Sequence, residues 1–159
     1  MISLKDVIEI NATPKQLFAW LERLPQEYLS WHPDHVACQA ISGSMLEVGS
    51  EIECQEYLHG KLHSLKFQMS KVVSDKRVEF TIIGMGQGAF EVESVDDHIR
   101  FIAELDIGTD IPIFGRFFDL IFSRLFTERI KAMKQHMVEE GRNLKEILEE
   151  KSHLVSDAA

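Results

Sequence analysis

Residues 13–35, TPKQLFAWLERLPQEYLSWHPDH, set two short helical segments and a stiff histidine loop between one strand and a long run of strands. Thr13 is an N-cap residue, Pro14 suits the first helical position and Gln16 completes a capping box, so a helix is predicted through about Arg23. Leu24 and Pro25 break it, and Gln26 to Ser30 forms a second short helix or a turn. The loop Trp31-His32-Pro33-Asp34-His35 follows, with Pro33 fixing the backbone after the first histidine.

Outward from this segment the pattern is simple. Ile2 to Ile10 alternates loosely with period two and reads as a strand. After the loop, six alternating runs are predicted as strands: Val36 to Ile41, Ser50 to Leu58, Leu62 to Val73, Arg77 to Ile83, Ala89 to Ser94 and His98 to Ile107. Turn signals separate them, among them Ser42-Gly43, His59-Gly60, Ser74-Asp75 and Asp96-Asp97. The glycine-rich residues 84–88 are followed by a strand, whereas a phosphate-binding loop needs a helix N-terminus, so they read as a hairpin turn. Pro112 to Glu150 is one long helical pattern with a weak point at Gly141, and Ser152 to Ala159 is a flexible tail.

This order predicts an α+β fold: a bent antiparallel seven-stranded sheet around a long C-terminal helix, in a single domain over residues 1–151. The element order, the Thr-Pro-Lys-Gln-Leu-Phe-Ala-Trp opening of the first helix and the WHPDH loop resemble the START-like helix-grip superfamily of polyketide cyclases, lipid carriers and ligand sensors. The resemblance implies an apolar cavity between sheet and helix. Its expected lining is Phe117, Phe118, Leu125 and Met133 from the helix, facing Cys54, Leu65, Phe67 and Met69 from the strands.

Composition narrows the partners. A chain of 159 residues with 45% hydrophobic and 27% charged residues is an ordinary one-domain globular composition. Its formal charge of −9 repels phosphate backbones, which argues against nucleic acid. Cys38 and Cys54 match no paired zinc or redox spacing and read as core thiols of a reducing compartment. The N-terminus lacks a signal-peptide pattern, so a cytoplasmic location is expected. The most apolar stretch, Ile111 to Phe126, carries Arg116, Asp119 and Arg124 and is too short to span a bilayer. The expected partner is an apolar or aromatic small molecule. Oligomeric state stays open, a homodimer included.

Four elements carry chemistry. His136 and Glu140 stand i,i+4, about 40° apart on a helix, and can reach one point. Glu140 falls inside the stripe formed by Met133, Met137, Leu144 and Leu148, where a carboxylate is costly without a cation or hydrogen bonds. The plainer reading is an ordinary i,i+4 pair at the border of a solvated face. Glu139 falls on the polar face. In Ser50 to Leu58, parity puts Ile52, Cys54, Glu56 and Leu58 on the core side, unless a bulge turns Glu56 to water. The same parity turns His63 inward, as a partner of the site or as a core histidine bonded to backbone. His32 sits on the stiff loop and His35 at the start of the next strand.

His32, Glu56, His136 and Glu140 make two imidazoles and two carboxylates, a set suited to Zn or another divalent transition metal. The WHPxH-type loop, the inward strand glutamate and the helical HxxxE resemble the zinc site of the 2,4-diacetylphloroglucinol hydrolase family, which cleaves a carbon–carbon bond between an acyl group and a phenolic ring. That resemblance implies these four residues as ligands, with His35 approaching the substrate and His35 or His63 as the acid/base. It also implies phenol-binding tyrosines. Only Tyr28 and Tyr57 are available, and Tyr57 points outward by parity. The competing expectation is a carrier that binds a lipid, polyketide or aromatic ligand without chemistry.

Overall fold

In the computed structural model, residues 1–58, 60–108 and 127–156 are described. The elements are β1 (Ile2–Ile10), α1 (Pro14–Glu22), α2 (Leu24–Trp31), β2 (His35–Ser42), β3 (Glu51–Leu58), β4 (Lys61–Val73), β5 (Arg77–Ile82), β6 (Gly86–Val95), β7 (His98–Ile107) and α3 (Thr127–Ser156). All seven strands form one antiparallel sheet in the order β1-β7-β6-β5-β4-β3-β2. The first strand closes on the last, and β2 is left at the far edge. With α3 packed against the sheet this is the helix-grip fold.

Local chemistry accounts for the helices. Thr13 accepts from the Gln16 amide at 3.2 Å, and the Gln16 side chain accepts from the Thr13 amide at 2.8 Å, a closed capping box. Thr13→Ala is expected to lower stability by about 1 kcal/mol in a denaturant titration. Pro25 does not end helical structure. It lies in the first turn of α2, where an amide hydrogen has no helical partner anyway, so α2 runs from Leu24 to Trp31.

The strands bury one face by parity. In β3, Ile52, Cys54, Glu56 and Leu58 are buried while Tyr57 is exposed. Edge strand β2 buries only His35 fully, and its register against β3 shifts between His35 and Ala37 and again between Ala40 and Ser42. Such bulges bend an edge and discourage pairing with another chain.

On α3, Met137, Leu144 and Leu148 are buried at helical spacing. Gly141 does not interrupt the helix. It is buried where α3 crosses β1, and a methyl group there would lie 3.1 Å from Asp6 Oδ2 and 3.6 Å from Ile8 Cγ2. A side chain there would push Asp6 back by a few tenths of an ångström. Asp6, inward on β1, meets Lys134 Nζ of α3 at 3.1 Å. The helix continues to Ser156, so the expected tail from Ser152 begins helical. Residues 112–126 of the predicted helix, including Phe117, Phe118 and Leu125, lie outside the described residues. Among the described residues, no helix is long and apolar enough to cross a membrane.

Candidate functional site

The site grows from the end of α2. His32 takes extended backbone as the C-cap, and the His35 amide donates to the His32 carbonyl at 3.1 Å. That turn sends the chain into β2 with His35 buried at its first position, paired in register with Glu56 of β3. Helix α3 supplies His136 and Glu140. The Trp31 indole donates to the Glu140 carbonyl and Asn143 donates to the Trp31 carbonyl, each at 2.9 Å, so the end of α2 is fastened to this turn of α3.

His35, Glu56, His136 and Glu140 each offer one ligand-type atom within 4.8 Å of the others. His35 Nε2 is 3.1 Å from Glu140 Oε1 and 3.7 Å from Glu56 Oε2. His136 Nε2 is 3.6 Å from Glu140 Oε1 and 3.9 Å from Glu56 Oε2. His35 Nδ1 meets the Tyr28 carbonyl at 2.9 Å. A carbonyl only accepts, so Nδ1 carries the hydrogen and the neutral ring turns the Nε2 lone pair toward the carboxylates. Burial lowers the His35 pKa and favours that neutral ring. Among the described residues His136 Nε2 is buried with no hydrogen-bond partner, and burial, with His32 and His35 nearby, lowers its pKa to about 4.

The carboxylates are only partly compensated, Glu140 Oε1 being hydrogen-bonded to His35 Nε2. Burial raises Glu140 to about 8, and it raises Glu56 as well, with Glu140 beside it adding to the effect. Tyr28 answers one lone pair: its hydroxyl donates to Glu56 Oε2 at 2.8 Å, and its ring stacks on His35 at 3.8 Å. Among the described residues, the ion-pair partners of Glu56 and Glu140 are histidines alone. The His35 lone pair, an orphaned His136 nitrogen and two carboxylates without Lys or Arg among the described residues are the chemistry of a divalent-cation site, and the donors fit one. The Tyr28 carbonyl on His35 and the Tyr28 hydroxyl on Glu56 are the outer hydrogen bonds that orient such ligands.

A cavity of about 120 Å³ opens beside this cluster. Tyr28, Glu56, His136 and Glu140 stand on its polar side, while Cys54, Leu65, Phe67, Phe80, Ile82 and Phe90 from the sheet and Met133 and Met137 from α3 form apolar walls. The volume is of the order that holds one aromatic ring, since an apolar cavity of about 150 Å³ accepts benzene.

A family model for "Polyketide cyclase / dehydrase and lipid transport" matches residues 1–141. The chain belongs to this polyketide cyclase and lipid-transport family. Solved structures agree on the fold. The Thermus thermophilus protein TTHA0849 superposes with a TM-score of 0.67 at 15% identity, covering 95% of this chain and 99% of that one. ChR145 of Cytophaga hutchinsonii gives 0.64 at 12% identity over 96% and 97%. A START superfamily protein of Mycobacterium smegmatis gives 0.54 at 12% identity over 84% and 95%. At these identities the likeness concerns the fold alone. No curated protein matches the sequence.

Within this family member the expected site residues are distributed as follows. His32 joins His35 and His136 in a group of three imidazoles, its ring 4.1 Å from that of His136, but it stands outside the four-residue cluster. Its Nδ1 accepts from the Asp34 amide at 3.1 Å, so Nε2 carries the hydrogen and donates to Glu139 Oε2 at 3.0 Å. Glu139, read from helical spacing as solvated, is thus tied to the loop, and it also accepts from Gln135 at 2.8 Å. His35 lies in the cluster beneath Tyr28 and not on the cavity wall. His63 is half-buried on β4 as the direct register partner of Glu56, but it belongs to neither group of potential ligands. Of the expected lining, Cys54, Leu65, Phe67 and Met133 face the cavity, whereas Met69 is packed into the core. Tyr28 carried no sequence signal for its two hydrogen bonds, which come from the approach of α2 to β2 and β3.

Proposed function

We propose that this chain binds an apolar, ring-bearing small molecule in the cavity, with a divalent transition metal such as Zn held by His35, Glu56, His136 and Glu140. The observation that carries the reading is the donor set itself: two imidazole nitrogens beside two carboxylates, Glu56 buried and Glu140 largely so, that no Lys or Arg among the described residues neutralises. His32 acts outside that set, its hydrogen bond to Glu139 and its ring against His136 holding the loop to the helix. A bound ion would supply a Lewis acid for a carbonyl oxygen or lower the pKa of water.

The chain's own groups supply the rest. Glu140 and Glu56 reach the cavity wall and can hold a proton there, because burial favours their neutral forms. Tyr28 donates to Glu56 Oε2, the oxygen that faces His35 and His136, and holds that carboxyl in place. Phe67, Phe80 and Phe90 exclude water and present ring faces and edges to an aromatic ligand. The finer reading is hydrolysis of an acyl-aromatic ketone, with phenolic groups on the ring needed to delocalise the carbanion-like charge left after acyl transfer to water.

The test uses tag-free protein stripped with chelator and equilibrated with Zn. One ion per chain should be retained, and an acylated polyhydroxybenzene should release its carboxylic acid while a simple alkyl phenyl ketone does not. Saturable binding of the aromatic ligand with no retained ion and no acid released would replace the hydrolase reading with a carrier.

A further inference from the structure

Cys38 on β2 and Cys54 on β3 are sixteen positions apart, yet they are direct register partners with their sulfur atoms 2.8 Å apart. Both are free thiols. Directly opposed residues of an antiparallel pair have Cα atoms about 4.5 to 5.5 Å apart, inside the range a disulfide spans. The two cysteines differ in access. Cys54 is 2% exposed on the cavity wall, while Cys38 is half-buried on the edge strand. One accessible thiol and one buried neighbour is the arrangement of an attacking and a resolving cysteine.

We propose that Cys38 and Cys54 form a reversible disulfide, a redox latch between β2 and β3 that takes its oxidising equivalents from hydrogen peroxide. The Cys38 thiolate attacks one peroxide oxygen, the O–O bond breaks, and hydroxide leaves to take up a proton as water, giving the sulfenic acid. Cys54 sulfur then attacks that sulfur, the S–O bond breaks, and the thiol proton leaves with the oxygen as a second water. Two thiols are oxidised by two electrons and one peroxide is reduced to two waters. Cys38 is the more accessible sulfur and Cys54 is buried behind it, so the first attack falls to Cys38. The latch has a location that matters: β2 begins with His35, and Glu56 lies two residues beyond Cys54 on the same face of β3. It does not depend on a metal being bound.

The experiment is peroxide titration of the full chain in the presence of chelator, followed by intact mass, alkylation in denaturant and peptide mapping. The wild type should lose two hydrogens, lose both alkylatable thiols, yield a Cys38–Cys54 linked peptide and regain both thiols with dithiothreitol. Cys38→Ser should keep its remaining thiol alkylatable under the same treatment. Two thiols surviving peroxide that oxidises a free cysteine peptide would overturn the proposal. So would oxygen addition without a crosslink, or a disulfide formed only between chains. The readout is covalent, so Cys38→Ser at the more exposed position suffices even where Cys54→Ser does not fold.

Discussion

Glu140→Gln and His136→Ala each lower the affinity for Zn at least about tenfold in a competition titration, whereas Glu139→Gln changes it little. The two glutamates are neighbours in the chain and differ in what they face. Glu140 Oε1 lies 3.1 Å from His35 Nε2 and 3.6 Å from His136 Nε2, so its loss removes a charged donor from the middle of the cluster. Glu139 accepts a hydrogen from His32 Nε2, a bond that the amide oxygen of Gln reproduces. His136→Ala removes the cluster's imidazole nitrogen that has no hydrogen-bond partner among the described residues. Equal affinities for wild type, Glu140→Gln and His136→Ala would take the metal site and the hydrolase reading away together. At an ion concentration about 100 times the wild-type Kd, bound ion stabilises the fold by about 2.7 kcal/mol, so melting with and without chelator reports the same ranking.

The second large effect is a fall in the stability of chelator-treated protein as pH rises from about 6.5 to about 8. Glu140 has a folded pKa of about 8 against an ordinary value of 4.5, so over that interval the unfolded chain binds fewer protons than the folded one. Stability falls with pH wherever that holds. Below 6.5, His136 works in the opposite sense: its folded pKa of about 4 lies below the ordinary 6.5, and the unfolded chain binds the extra proton, so its contribution rises with pH. The raised Glu56 and lowered His35 act in the same respective directions. The two trends oppose each other up to about 6.5, and above it the carboxylates act alone. At about 1.36 kcal/mol per pKa unit, Glu140 should cost about 2 kcal/mol between about pH 6.5 and 8. Glu140→Gln should flatten this part of the curve and melt above wild type at about pH 8 in chelator, because a buried charge has been removed. Saturating Zn should reverse the wild-type slope, since the ligands bind as carboxylates. A flat pH curve for stripped wild type would mean that these carboxylates are solvated in the free protein.

Features with a local period were legible in the chain itself. Thr13, Pro14 and Gln16 start a helix because cap and partner lie within one turn, and the box is closed in the structure. Parity turned Glu56 inward with Ile52 and Cys54, and all three are buried. The i,i+4 spacing of His136 and Glu140 fixes their common reach along α3 whatever the helix packs against. The succession of seven strands along the chain followed from alternating runs broken by turn residues, whereas the pairing of β1 with β7 joins distant parts of the chain.

Tertiary closure decided the rest. Which histidine of WHPDH meets the carboxylates depends on the turn from His32 to His35 and on the bulged register of β2 against β3, and neither has a sequence period. Glu139, one position from Glu140, looked solvated from helical phase alone and is instead joined to His32 from another element. Tyr28 gained its role only when α2 came to rest over His35 and Glu56, where its ring, carbonyl and hydroxyl are all used. The spacing of Cys38 and Cys54 matches no paired zinc or redox motif, and a long-range register brings the two thiols into contact. The sequence by itself determines what each element presents on each face, because side-chain direction repeats about every two or 3.6 residues. Which faces meet, and at what offset, is a property of the whole sheet closing on the helix.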